Sequence, residues 1–131
     1  MPFALVLTVI LAALAIFQLA LALGAPLGRF AWGGQHRVLP ARLRVGSAVA
    51  IAVYALIVVI ALDRIGAIDV FPDLFATIAM WVVFAYFALG IVLNAASRSK
   101  SERVVMVPVT ILLAVLSFCI AMGWGALAAP A

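Results

Sequence analysis

His36 is the only histidine of the chain, and it stands in its most polar stretch, "GRFAWGGQHRVLPARLR" at residues 28–44. The same stretch holds Arg29, Arg37, Arg42 and Arg44, four of the eight basic side chains, with the pair Gly33-Gly34. An imidazole titrates near neutrality and can move a proton. Paired glycines reach backbone angles closed to other residues and can turn N–H groups into one concave surface. Such a turn, with arginines and a helix N-terminus nearby, has the components of a phosphate or carboxylate site. A second polar run, "NAASRSKSER" at 94–103, adds Asn94, Ser97, Arg98, Ser99 and Arg103. The candidate site for an anion or lipid headgroup is therefore Gly33, Gly34, Gln35, His36, Arg37, Arg42, Arg44, Asn94, Ser97, Arg98 and Arg103. Topological anchoring is the plainer role for the arginines. Anchoring leaves the Gly-Gly pair, Gln35, His36 and the Asn-Ser-Arg-Ser residues without a purpose.

Catalytic constellations are not legible. A Ser-His-acid triad needs an acid beside His36, and the acids are Asp63, Asp69, Asp73 and Glu102. Three of these fall in a different loop. Glu102 lies three residues after Ser99, a capping-box spacing that already gives it a local task. One histidine and one distant cysteine, Cys119, cannot hold a zinc ion. There is no G-x-x-x-x-G-K-S/T phosphate loop. Cys119 has no disulfide partner and sits in an apolar run, as a small core residue does. No cofactor is implied.

The elements that must position these residues are membrane spans. The chain has 131 residues, of which 70% are hydrophobic and 9% charged, whereas soluble domains carry about 25% charge. A soluble fold of this size could not hide so much apolar surface. The few cations are confined to loops, so the net charge of +4 reflects topology and not a nucleic-acid partner. Crossing the hydrocarbon takes about 20 apolar residues, and four stretches suffice: 3–24, 40–62, 73–96 and 104–127. The first lacks a basic leader and is too long for a secretory h-region, so it reads as a retained span. Gly24 followed by Pro26 is a helix stop. Pro40 and Pro72 suit helix starts. Pro108 should remove a backbone bond and kink the fourth helix. Trp32 and Phe30 suit one membrane interface and Trp124 the other. The expected fold is an all-α membrane protein: one domain over 1–131, a compact bundle of four transmembrane helices.

Lys and Arg set the orientation. Loops one and three carry seven of the eight basic residues, and loop two carries only Arg64 among Asp63, Asp69 and Asp73. The positive-inside rule places loops one and three in the cytoplasm and both termini outside. Asp69 and Asp73 could weakly hold a cation on that outer face.

The spans hold no ionisable Asp, Glu, Lys, Arg or His in their central parts, which counts against ion-coupled transport. Gln18 is the strongest intramembrane polar residue, suited to an interhelical hydrogen bond or to the lining of a ligand cleft. Small residues four apart at Ala20 and Gly24, Ala48 and Ala52, and Ala121 and Gly125 read as ordinary bundle contacts before a dimer motif. "ALG" recurs at 22–24 and 88–90, a weak sign of a two-helix duplication.

The motifs "FQLALALGAPLG", "WGGQHRVLP" and "LNAASRSKSER" together resemble a family of small bacterial integral membrane proteins with four predicted spans. The resemblance covers essentially the whole chain, and its most specific parts are the two basic loops. It implies a four-span fold in the bacterial inner membrane and carries over no reaction and no site. The leading functional expectation is a non-catalytic inner-membrane protein whose basic loops bind an anionic lipid headgroup, a small anion or a membrane or cytoplasmic protein partner. The alternatives are a small transporter or channel acting as a homo-oligomer, and a lipid-modifying enzyme using His36. The orientation is directly testable. In a Cys119→Ala background, an impermeant maleimide added outside intact cells should label Gly66→Cys at once and Gln35→Cys only after permeabilisation. The reverse pattern would overturn the assignment.

Overall fold

The structure, a computed structural model, describes residues 1–127. Four helices dominate it: α1 (Pro2–Ala22), α2 (Ala41–Arg64), α3 (Asp73–Ala95) and α4 (Lys100–Ala121). Each is long and apolar enough to cross a membrane. No strand occurs among the described residues. At about 1.5 Å rise per residue, helices of 21 to 24 residues match the roughly 30 Å hydrocarbon thickness. α1 packs chiefly on α2 and α3 chiefly on α4. The two hairpins meet along α2–α3 and α1–α4, so the bundle closes. One end of it carries the basic loops, the other the acidic loop.

The core fills the acidic half most densely. Leu7 and Leu11 of α1, Ile57 and Ile60 of α2, Met80 and Val83 of α3, and Ile120 of α4 form one buried cluster. The outer faces expose Ile16, Val45, Val82 and Leu93, the apolar exterior that lipid requires. Ala48 and Ala52 are exposed on α2 and are not the bundle contacts that their spacing suggested, whereas Ala121 is buried in the core cluster and Gly125 packs on α1, where a Cβ would lie 2.9 Å from the Phe3 ring.

Helix ends explain several sequence features. Pro40 and Pro72 are the N-caps of α2 and α3. Ser99 caps α4, its Oγ accepting the Glu102 N–H at 3.2 Å. α4 runs as one helix through Pro108. Its apolar sequence continues to Leu127, but the helix stops at Ala121 because Gly123 takes φ +84°. Beyond it, the Leu127 N–H donates to the Ile65 carbonyl at 2.9 Å.

Two arginines of α2 close the ends of other helices. Arg44 Nε donates to the Ala22 carbonyl at the end of α1, at 2.9 Å. Arg64 Nη2 donates to the Ala121 carbonyl at the end of α4, at 3.0 Å. Beside each stands a glycine of positive φ, Gly24 and Gly123. A Cβ on either would lie 3.3 Å from the guanidinium. Arg44 is unfavourable for its own helix, but it lies at the C-terminus of α1, where a cation is favoured. The suggested "ALG" repeat does not correspond structurally. Gly24 ends α1, whereas Gly90 is inside α3 and closely approaches Thr110 of α4.

The acidic loop has its own organiser. Asp63 is 6% exposed, and its Oδ2 accepts the N–H groups of Val70 and Phe71, each at 2.7 Å. The sequence suggested only a topological role for it. Hydrogen bonds to charged groups contribute about 1.5–3 kcal/mol. Arg64→Met should therefore lower the stability of the purified protein by about 2 kcal/mol, read as an earlier midpoint in detergent-denaturant unfolding. An unchanged midpoint would mean that the α4 cap contributes nothing.

Candidate functional site

The first basic loop contains two 3-10 turns, Gly28–Phe30 and Trp32–Gly34. Trp32, Gly33 and Gly34 take φ of 53°, 79° and 71° in succession. Two of the three are glycines, for which this region carries no steric penalty. Trp32 is the exception, and its side chain is well held. Its Nε1 donates to Oγ of the fully buried Ser47 at 3.1 Å. Its ring lies 3.0 Å from where a Cβ on Gly46 would stand. The loop is thereby docked on α2.

The same turn is also docked on α4. The Gly33 N–H donates to Glu102 Oε2 at 3.2 Å. The Ser99 hydroxyl donates to the Arg29 carbonyl. A Cβ on Gly34 would fall 2.3 Å from that of Ser99, so only glycine allows this approach. In a complete capping box the glutamate reaches back to the N–H of the cap residue. Here the Ser99 N–H donates to Ser97 Oγ at 3.1 Å, and the Glu102 carboxylate is free to cross to the other loop. The anion that the Gly33 N–H meets is thus the chain's own side chain.

The basic loops touch, and most of their arginines point elsewhere. Arg44 is engaged on α1. Arg103 Nη1 donates to the Ser97 carbonyl at 2.6 Å. Arg29 stacks on Phe30, 4.7 Å from the ring centroid. Gln35, Arg37, Arg42 and Arg98 are exposed. His36 is half-buried, and its carbonyl lies so close to Gly28 that a Cβ there would meet it at 1.7 Å. Asn94 Nδ2 donates to Thr110 Oγ1 at 2.8 Å.

Beneath the joined loops lies a cavity of about 440 Å³. All four helices wall it, and Phe30 to Gly33 form its roof. Most of the lining is apolar. Its polar side chains include Gln18, Tyr54, Asn94, Ser97, Glu102 and Thr110. Gln18 Nε2 reaches Tyr54 Oη at 3.4 Å, and its Oε1 is buried without a hydrogen-bond partner. Tyr86, Leu89 and Leu93 line the cavity and are also exposed on α3, so it reaches the lipid-facing surface there. Leu14 and Leu113 mark its depth. Below them the packed layer around Leu11, Ile57 and Met80 separates it from the acidic end.

No known family, curated protein or solved structure matches this chain. The resemblance drawn from the loop motifs therefore rests on those motifs alone.

Of the residues picked out by sequence, Gly33, Asn94, Ser97 and Gln18 meet in the cavity wall. His36, Arg37, Arg42, Arg44, Arg98 and Arg103 do not line it. Glu102 and Tyr54 were not singled out for the site. The signal for Glu102 was its position in the second polar run, hidden behind its capping spacing. At the other end, Asp73 lines a smaller cavity of about 320 Å³ with Asp63, Arg64 and Thr77, while Asp69 is exposed.

The two glycines of the turn separate strain from collision. Gly33→Ala meets no atom within 4 Å and should cost only the left-handed backbone, about 1–2 kcal/mol. Gly34→Ala adds the clash with Ser99 and should part the loops. Hydrogen exchange should then rise across residues 28–37 far more in Gly34→Ala than in Gly33→Ala. Equal effects would contradict the close packing of the loops.

Proposed function

We propose that this is a non-catalytic integral membrane protein that binds a lipid-like amphiphile in the cavity beneath its two basic loops. The cavity itself carries the reading. Its volume falls within the roughly 300–1,000 Å³ of small-molecule sites, and like them it is mostly apolar with a few converging polar groups. Ser97 and Glu102 stand at the loop end of the cavity and Leu14 and Leu113 at its deep end, which suits a ligand with a polar head and a hydrocarbon tail. Access beside α3 suits a ligand already dissolved in the bilayer. The packed layer around Leu11, Ile57 and Met80, which divides this cavity from the acidic end, supports binding over conduction. His36 stands outside the cavity lining, which gives turnover little support.

The positive-inside rule places the cavity at the cytoplasmic leaflet, and the resemblance suggests a bacterial inner membrane. The exposed Arg37, Arg42 and Arg98 suit that surface, where each cation near anionic lipid contributes about 1 kcal/mol. They would recruit and orient the protein's lipid surroundings while the cavity selects its occupant. Native mass spectrometry of protein gently extracted from its own membrane tests this. Wild type should carry a bound amphiphile. Ala50→Phe, which fills the cavity from α2, should lose it, while Arg42→Ala and Arg98→Ala should retain it. Loss in the arginine variants with retention in Ala50→Phe would move the site to the loop surface.

A further inference from the structure

The polar inventory of the cavity narrows the chemistry of its occupant, on the reading that the cavity is a binding site. Among the described residues no Lys, Arg or His lines it, and Glu102 is its one charged side chain. Glu102 is 5% exposed, and its carboxylate accepts a single neutral N–H, from Gly33. A buried carboxylate needs more compensation than one such bond. Several donors of the wall are already engaged. Trp32 Nε1 is on Ser47, Asn94 Nδ2 is on Thr110, and Gln18 Nε2 faces Tyr54. Gln18 Oε1 is a buried acceptor without a partner, and the Tyr54 and Tyr86 hydroxyls that also line the cavity can accept as well as donate. A carboxylate and an unfilled amide carbonyl in one apolar cavity call for a ligand that brings hydrogen-bond donors and positive charge.

We propose that the cavity selects amphiphiles with a protonated amine head, which pairs with the Glu102 carboxylate and offers further N–H donors to the wall. An ammonium has three donors and no acceptor, which complements this lining. An anionic head would meet the carboxylate and no cation. The exposed arginines lie outside the cavity, so the protein separates the two charges: anions are attracted to its surface and a cation is taken within. Pairing to Glu102 leaves room for the Gly33 bond, because a carboxylate has about four lone-pair sites.

Trp32 lines the cavity and provides the readout. The protein, with Trp81→Phe and Trp124→Phe leaving Trp32 as the sole indole, is placed in phosphatidylcholine nanodiscs. Trp32 quenching is titrated with bromododecylamine, bromododecanol and bromododecanoic acid, each corrected for its partition into the bilayer. The amine should quench saturably, with an apparent affinity at least tenfold above the other two. Glu102→Gln, which retains an acceptor for Gly33, should abolish that preference while leaving Trp32 emission and the thermal midpoint near those of the parent. Gln18→Leu provides a second variant distant from the loops and should reduce the preference about threefold. Equal saturable quenching by all three heads would overturn the ammonium assignment and leave the cavity as a general amphiphile site. Saturation by the acid in preference to the amine would overturn it in favour of the arginines. An amine preference that survives Glu102→Gln would remove Glu102 as the anchor. Absence of saturable quenching by any head would overturn the cavity reading together with this one.

Discussion

The hydrogen bond from the Gly33 N–H to the Glu102 carboxylate is the constraint on which the basic end depends. It joins the first loop to the first turn of α4. It works only because Trp32, Gly33 and Gly34 hold positive φ and because Ser99 leaves the carboxylate unclaimed. The Ser99 contact to Arg29 and the Trp32 contact to Ser47 then fix the loop on both sides. With the loop so held, the space below it is roofed. Without it, the polar wall of Gln18, Tyr54 and Asn94 would open directly onto the membrane surface.

α2 does for the helices what Glu102 does for the loops. Two of its three arginines, Arg44 near one end and Arg64 at the other, seize the closing carbonyls of α1 and α4. Both contacts combine a cation with the negative end of a helix dipole, and both need a glycine of positive φ beside the guanidinium. The middle of α2 contributes Ile57 and Ile60 to the buried cluster. Lipid gives no hydrophobic drive to helix association, so polar ties of this kind carry weight that core burial carries in water.

What the sequence disclosed follows from how far each determinant reaches. The four spans, the proline caps and the Ser99 cap depend on residues within one or two turns, and all are legible. Gln18 could be recognised as unusual because polar residues in a span are rare. The destination of Glu102 was hidden, since its partner is 69 residues away and its spacing from Ser99 offered a sufficient local explanation. Arg44 stands in the first turn of its own helix, yet the dipole that it complements belongs to α1. The arginines looked like one group because they share two loops in sequence. In space they divide between backbone carbonyls, an aromatic ring and the exposed surface. Composition identifies a basic end but does not tell which charges are engaged.

The distance along the chain between Gly33 and Glu102 also imposes an order of assembly. The first loop emerges during synthesis long before α4 does. Until that last helix enters the membrane, the Trp32–Gly34 turn has no carboxylate to close on and Arg29 has no serine to meet. The first hairpin can form early with Arg44 already on α1, but its loop stays unfinished. The cavity is therefore the last feature to mature, and the membrane sees a roofed site only once the whole bundle is in place.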